Sequence, residues 1–237
     1  MHLHHRRRQH VAVGGGARRR GGRRRVHREA VESGKKKSAA RSYDEAEGLF
    51  TGALKLDPSP TLACYYLGQV KETRQQPDQA KGVYYQGLKF NKIHYKCNLG
   101  LYDLFLKEKN FEEAYDVIKR LSHYFPANPK RLAEVLRLAI INSRFEDIEQ
   151  YYAAFCNMDE REDSLIRHVC AALIVCGKYY LRNGQKARAL PFFQKATVAG
   201  VGRSNILKEI VQALNESGCV KEAEEFLAKH SSKSSSP

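Results

Sequence analysis

The sequence lacks any long apolar segment. Its longest uninterrupted apolar run is Val169–Cys176, eight residues, whereas a helix needs about 20 apolar residues to cross a bilayer. The N-terminus also lacks the apolar centre of a secretory signal, because Gly and Arg interrupt it throughout. We therefore predict a cytoplasmic protein without a membrane span.

Cysteine pairs and metal-ligand spacings are also missing. No C-x-x-C motif occurs, and each cysteine lies in an apolar or helical stretch, which favours buried, reduced thiols over a disulfide framework. The cysteines are Cys64, Cys97, Cys156, Cys170, Cys176 and Cys219. The histidines after residue 41 stand apart from cysteines and carboxylates at zinc-ligand intervals. We expect no metal and no cofactor.

No catalytic constellation stands out either. Gly200–Ser204 resembles a fragment of a phosphate-binding loop but lacks the Lys-Ser/Thr ending and a preceding strand, so we interpret it as a turn. Asp159–Asp163 is acidic, which is typical of a loop leading into a helix N-terminus. We predict that the chain is not an enzyme.

Positive charge is abundant but confined to one end. Residues 1–41 hold 14 Lys and Arg against 2 Glu, while residues 42–237 hold 27 against 24 acids. The sequence therefore predicts a basic, low-complexity, unfolded arm at 1–41, a folded body at 42–230 and a disordered Ser-rich tail at 231–237.

The basic arm has two interpretations. It carries four cationic triplets among glycines, and such a segment binds nucleic acid, an anionic membrane surface or import factors by its charge. Alternatively, it comes from a wrong start or a shifted reading frame, because residues 27–40 make a poor partner for the next helix. The natural protein would then be longer at its N-terminus.

The body repeats with a period of 34 residues. Ala46, Ala80 and Ala114 are 34 apart, as are Ala189 and Ala223. Apolar and small residues recur at steps of three and four, the pattern of amphipathic helices. This predicts helix pairs with first helices beginning near Thr61, Tyr95, Pro129, Cys170 and Ser204, and an earlier second helix at Ser42–Leu56. The step of 41 after Pro129 predicts an unusually long helix at Ser164–Leu181.

Paired helices at this period resemble the tetratricopeptide repeat. The family's spacing of Leu-Gly, Ala and an aromatic residue is met by Leu67, Gly68, Ala80 and Tyr84, and its Gly, Ala and aromatic positions again by Gly177, Ala189 and Phe193. The repeat from Pro129 departs, with Leu136 at the small position and Ile148 at the Ala position, and the family's leading Trp is absent. The resemblance implies an all-α, right-handed superhelical solenoid of antiparallel helix pairs, with about five and a half repeats.

The resemblance also implies a protein-interaction scaffold that binds a partner peptide or helix along the first helices. The implied groove positions are Tyr65, Gln69, Thr73, Lys96, Leu99, Asp103, Lys107, Lys130, Arg137, Ile141, Lys178, Arg182, Lys208, Gln212 and Asn215. Seven of these fifteen are Lys or Arg and one is acidic, which favours an acidic or C-terminal peptide. Alternatively, the long basic side chains only make this face soluble and bind no partner. The clamp that binds chaperone peptides is not reproduced, because Tyr65, Gln69 and Gly100 occupy its positions.

Two other functions remain open. The chain is either a nucleic-acid-associated adaptor that uses its arginine-rich arm, or an output module of a signalling protein. The second rests on a weaker resemblance of Phe90–Leu190 to bacterial proteins that join a receiver domain to such repeats.

Overall fold

The computed structural model of the chain describes residues 15–56, 60–126 and 128–231. These residues form twelve α-helices and one short 3-10 helix (Phe145–Asp147), with no strand among them. The α-helices are α1 (Gly15–Ala39), α2 (Tyr43–Leu56), α3 (Thr61–Thr73), α4 (Pro77–Phe90), α5 (Tyr95–Lys107), α6 (Phe111–Tyr124), α7 (Pro129–Ile141), α8 (Ile148–Cys156), α9 (Asp163–Arg182), α10 (Lys186–Ala199), α11 (Ser204–Glu216) and α12 (Val220–Ser231). The prediction of an all-α chain is confirmed.

The helix starts follow the 34-residue period. Four first helices begin at the predicted residues, namely Thr61, Tyr95, Pro129 and Ser204. The fifth, α9, begins at Asp163 and has 20 residues, whereas α3 has 13. The seven additional residues equal about two helical turns, so they lengthen the helix without rotating its apolar face. The predicted long helix is confirmed.

The turn inside each helix pair repeats as well. In each of these turns, one residue has a left-handed backbone, and its φ lies between 55° and 73°. After α3, for example, the N–H of Gln75 donates to the C=O of Glu72, and the N–H of Gln76 donates to the C=O of Lys71, both at 2.9 Å. This is the Schellman arrangement, which satisfies the last carbonyls of a helix. The left-handed residues are Arg41, Gln75, Lys109, Ser143, Gly184 and Gly218.

A glycine lets the two helices of a pair approach closely. An added Cβ at Gly34 would lie 2.6 Å from Cε1 of Phe50, a ring with no exposed surface. Gly68 meets the buried ring of Tyr84 in the same way, and Gly177 meets Phe193. The repeated small position therefore exists to seat an aromatic ring from the second helix.

The structure corrects the prediction for residues 27–41. They were expected to be unfolded and to make a poor partner helix, but residues 27–39 form the docked part of α1, which packs on α2 and α3. Val31 is 2% exposed, and Gly34 is buried beneath Phe50. Helix α1 packs on α2 with few apolar residues of its own, because the ring of Phe50 fills the space between the two helices. The backbone of residues 15–26 is helical too, while residues 1–14 and 232–237 lie outside the described residues.

The repeat from Pro129 departs from the others, as its sequence indicates. Its second helix is a 3-10 turn followed by α8, which has nine residues. Tyr115 donates a hydrogen bond to Asp147 at 2.5 Å, and Lys119 donates to the same carboxylate at 2.7 Å. Burial acts to raise the pKa of Asp147, but these two hydrogen bonds outweigh it and hold the pKa below its ordinary value. The ionised carboxylate thus ties α6 to the start of the irregular helix.

The chain divides into two compact units, Met1–Leu104 and Phe105–Pro237, with the boundary inside α5. In the first unit, Phe50 and Val31 belong to a core shared by α1, α2 and α3. In the second unit, α9 is central and contacts α7, α8, α10 and α11. By length and composition alone α9 is apolar enough to cross a membrane, yet 56% of that stretch is buried within the protein. Its apolar character is that of a core helix.

The cysteines do not all have the predicted environment. Cys64, Cys97, Cys170 and Cys176 are buried, and burial raises the pKa of each thiol to about 11 or about 12. Cys156 is instead exposed at the end of α8, and Cys219 is half-buried. The prediction of buried thiols is therefore wrong for these two, because both lie at helix ends.

Candidate partner-binding surface

The predicted groove positions all lie on first helices, and none of them is buried. In the first unit, α3 carries Tyr65 and Gln69, and α5 carries Lys96 and Asp103. In the second unit, the predicted positions are Lys107 at the end of α5, Lys130 and Arg137 on α7, Lys178 and Arg182 on α9, and Lys208 and Gln212 on α11.

The first unit brings two tyrosines and two lysines together. The ring centroids of Tyr65 and Tyr66 are 5.0 Å apart. Nζ of Lys96 lies 5.2 Å from the Tyr65 centroid and 5.9 Å from that of Tyr66, while Nζ of Lys35 lies 5.5 Å from the Tyr66 centroid. These distances are within cation–π range. Lys35, Tyr65, Tyr66 and Lys96 are hereafter the tyrosine–lysine cluster.

Core packing fixes the orientation of both rings. Tyr66 stacks on the buried ring of Phe50 at 5.7 Å, with an interplanar angle of 15°. Tyr65 stacks on buried Tyr84 at 6.4 Å, and the Tyr84 hydroxyl donates to Glu72 at 2.5 Å. Each ring is therefore half-buried on a rigid support, with its remaining surface open to solvent. Burial raises the pKa of Tyr65, which keeps its hydroxyl uncharged near neutral pH.

The two lysines of the cluster differ in their partners. Nζ of Lys35 donates to Glu32 at 2.9 Å, and this hydrogen bond raises the pKa of Lys35. Lys96, by contrast, is exposed and has no carboxylate partner among the residues that the structure describes. Asp103 is near enough to Tyr65 to contribute to its raised pKa. The ammonium of Lys96 thus lies over both rings without an ion-pair partner among the described residues.

Two of the basic groove positions in the second unit are paired with neighbouring acids. Lys178 donates to Glu209 at 2.7 Å, and Arg137 donates to Glu134 at 2.7 Å. Gln212 likewise donates to Glu216 at 2.7 Å. A count of groove positions alone does not include these acids, because none of the three is itself a groove position. The count of groove positions also leaves out Lys35 and Tyr66. The sequence feature that indicates them is Gly34, which lies one 34-residue period before Gly68.

The sequence Gly200–Ser204 forms a turn, as predicted. It joins α10 to α11, and Gly202 has a φ of +80°. A Cβ at Gly200 would collide with Ile206 and lie 3.0 Å from Sγ of Cys170, so close packing explains this glycine. Among the described residues, no group of three or more His, Cys, Asp or Glu side chains is placed to hold a metal ion.

The sequence matches no protein-family model and no curated protein. Solved structures are similar at the level of the fold. A tetratricopeptide-repeat protein from Parabacteroides merdae is 13% identical over 86% of this chain and 78% of its own, with a TM-score of 0.52. PilF of Pseudomonas aeruginosa is 14% identical over 88% of this chain and 91% of its own, at 0.45. YrrB, a tetratricopeptide-repeat protein with an unusual peptide-binding site, is 16% identical over 76% of this chain and 89% of its own, at 0.47.

The first of these likenesses and the repeat geometry agree. The chain has the tetratricopeptide-repeat fold. Its helix pairs repeat every 34 residues, a left-handed residue stands in the turn of each pair, and glycines lie beneath aromatic rings. Repeats of this fold present first-helix side chains to the solvent, where a partner can contact them.

Proposed function

We propose that the chain holds an acidic segment of a partner protein on the tyrosine–lysine cluster. The observation that carries this proposal is the ammonium of Lys96, which lies over two half-buried rings without a carboxylate of its own among the described residues. An Asp or Glu of the partner supplies that carboxylate, and the adjacent apolar side chain packs on the rings. No catalytic step is part of this function.

The cluster suits recognition because it is already organised. Ordering mobile side chains on binding costs about 0.5–1.5 kcal/mol for each rotamer-rich group. Tyr65 and Tyr66 avoid most of this cost, because Tyr84 and Phe50 hold their rings in place before a partner arrives. Aromatic residues and a charge-assisted hydrogen bond are the contacts that dominate interface energies.

The second unit contributes less to this proposal. Lys178 and Arg137 already have carboxylate partners, so a peptide would have to displace Glu209 or Glu134 to reach them. Lys107, Lys130, Arg182 and Lys208 remain candidate contacts with acidic residues elsewhere in the partner. We also propose that the protein acts in the cytoplasm, on the grounds given by its sequence.

Selection from a displayed library of short random peptides tests the proposal. The full chain, its Lys96→Met variant and a Lys89→Met control are each used as bait. Lys89 is exposed on α4 and lies outside the cluster, and methionine keeps a similar length and helix propensity without the charge.

We expect the full chain and the control to enrich the same Asp- or Glu-containing peptides, and Lys96→Met to lose them. Enrichment of no peptide at all would argue against the scaffold function. Enrichment of peptides without acids, or of the same acidic peptides on Lys96→Met, would instead reject the cluster as the site.

A further inference from the structure

The N-terminal part of α1 projects beyond the helix's docked part. α1 is a single helix of 25 residues. Its contacts with the core begin at His27 and Val31, which are 9% and 2% exposed, whereas residues 22–26 are all exposed. The docked half thus fixes the direction of the projecting half relative to α2.

The first half of α1 is strongly cationic. Residues 15–28 include seven arginines and no acid. The side chains of Arg23, Arg24 and Arg28 are exposed and form no ion pair with another described residue. Arg25 pairs with Glu29, but both side chains are more than half exposed at 82% and 60%, so water screens the pair and leaves it weak.

The arginines surround the helix rather than forming a stripe. Successive residues are about 100° apart on a helix of 3.6 residues per turn, so Arg23, Arg24 and Arg25 point in three different directions. A helix that lies on a membrane surface needs a continuous apolar face. Residues 15–26 contain a single large apolar residue, Val26, which does not make such a face. The charge distribution therefore favours nucleic acid over a lipid surface.

We propose that residues 15–28 of α1 bind double-stranded DNA through its phosphodiester backbone, with the helix in the major groove. A helix with side chains is about 10–12 Å across and the B-form major groove is about 12 Å wide. Arg23, Arg24 and Arg25, which point to different sides of the helix, then reach phosphates on both walls, and their planar guanidinium groups match phosphate oxygens. Because the contacts are to the backbone, binding is independent of base sequence. This activity is separate from peptide binding.

Fluorescence anisotropy of a labelled, random-sequence DNA duplex tests the inference with the full chain over a series of salt concentrations. One variant replaces Arg23, Arg24 and Arg28 by Gln, and a matched control replaces the exposed Lys89, Lys92 and Lys221 by Gln. Both lose three positive charges, and all six side chains are exposed, so the helices should persist. Circular dichroism checks this.

We expect the arginine variant to reduce the slope of log K against log salt by up to about 2.7, at about 0.9 for each lost phosphate contact, and the control to keep the wild-type slope. An equal loss in the control would overturn the inference, since net charge alone would then explain binding. Equally tight binding to an A-form RNA duplex, whose major groove excludes side chains, would overturn groove docking. Tighter binding to phosphatidylserine vesicles than to DNA would also overturn it.

Discussion

At the residue scale, glycines at the small positions of α1, α3 and α9 let these three helices pack closely on their partner helices. The family spacing predicted this role for Gly68 and Gly177 from the sequence. The same spacing does not identify Gly34, because three lysines follow it and no Leu precedes it. Only the structure shows that Phe50 fills the space that a larger residue would need.

Gly68→Ala tests this role. Its Cβ would collide with the ring of Tyr84, which has no exposed surface. We expect a loss of about 1–3 kcal/mol in the free energy of unfolding, as for other overpacked cores. Gly82→Ala is the matched control in α4, where an added Cβ meets no atom within 4 Å. Because alanine favours helix, that change should stabilise by about 0.5–1 kcal/mol. Urea denaturation of both variants decides, and equal effects would contradict the packing.

Thiol labelling gives a second test at this scale. Cys156 is exposed and should react first with a thiol reagent at pH 8, followed by half-buried Cys219. The four buried thiols, whose pKa values are raised to about 11 or about 12, should react only on unfolding. Mass spectrometry of the labelled peptides identifies the order. Early labelling of Cys64 or Cys97 would show that the first unit opens in its native state.

At the element scale, the 34-residue period predicted the helix starts because turn length and helix length are both fixed by packing between neighbours. It could not show the broken second helix after Pro129. There, Phe145, Ile148 and Tyr151 still follow an apolar spacing of three, which does not distinguish a 3-10 turn followed by α8 from one regular helix. Nor could it show the charge balance of the surface, since Glu209 and Lys178 are distant in sequence and meet only when α9 and α11 pack.

The left-handed turns predict a route to higher stability. Gln75 has a φ of 57°, where a side chain costs about 1–2 kcal/mol. Gln75→Gly should therefore stabilise the fold by about 0.5–1 kcal/mol, after allowing for the entropy of a flexible glycine in the unfolded chain. In the reverse control, Gly184→Ala places a Cβ at φ +70° without any clash and should destabilise. Thermal midpoints that move the opposite way would refute the turn geometry.

The start of α5 should be sensitive to pH. Nδ1 of His94 accepts a hydrogen bond from the N–H of Cys97 at 3.3 Å, and burial together with Lys96 lowers the pKa of His94 below 6.5. The unfolded chain then binds this proton more readily than the folded chain. Stability from this group is present above about pH 6.5 and is lost as pH falls through the folded pKa.

Asparagine at position 94 can also accept a hydrogen bond at the start of α5, but it does not titrate. We therefore expect the unfolding midpoint of wild type to fall more steeply than that of His94→Asn between pH 7.5 and pH 5. Parallel curves for the two proteins would show that His94 does not carry this pH dependence.

At the scale of the whole molecule, the net charge of +15 combines a strongly basic N-terminal segment with nearly neutral repeats. Seven of the positive charges are arginines of residues 15–28, in the first half of α1, which we propose to bind DNA. The repeats are nearly neutral, and their binding character depends on a few local groups. Composition alone therefore indicates a basic protein but not the surface that a protein partner would contact, which depends on how α1, α3 and α5 bring Lys35, Tyr66 and Lys96 together.

The affinity of a selected acidic peptide tests the central claim most directly. Because the chain has no tryptophan, a peptide carrying one tryptophan reports binding by its own fluorescence. Losing a charge-assisted hydrogen bond costs about 1.5–3 kcal/mol, so we predict that Lys96→Met weakens binding by about 10- to 100-fold while Lys89→Met leaves it unchanged. Equal affinity of Lys96→Met and wild type would contradict the claim that the tyrosine–lysine cluster holds the partner.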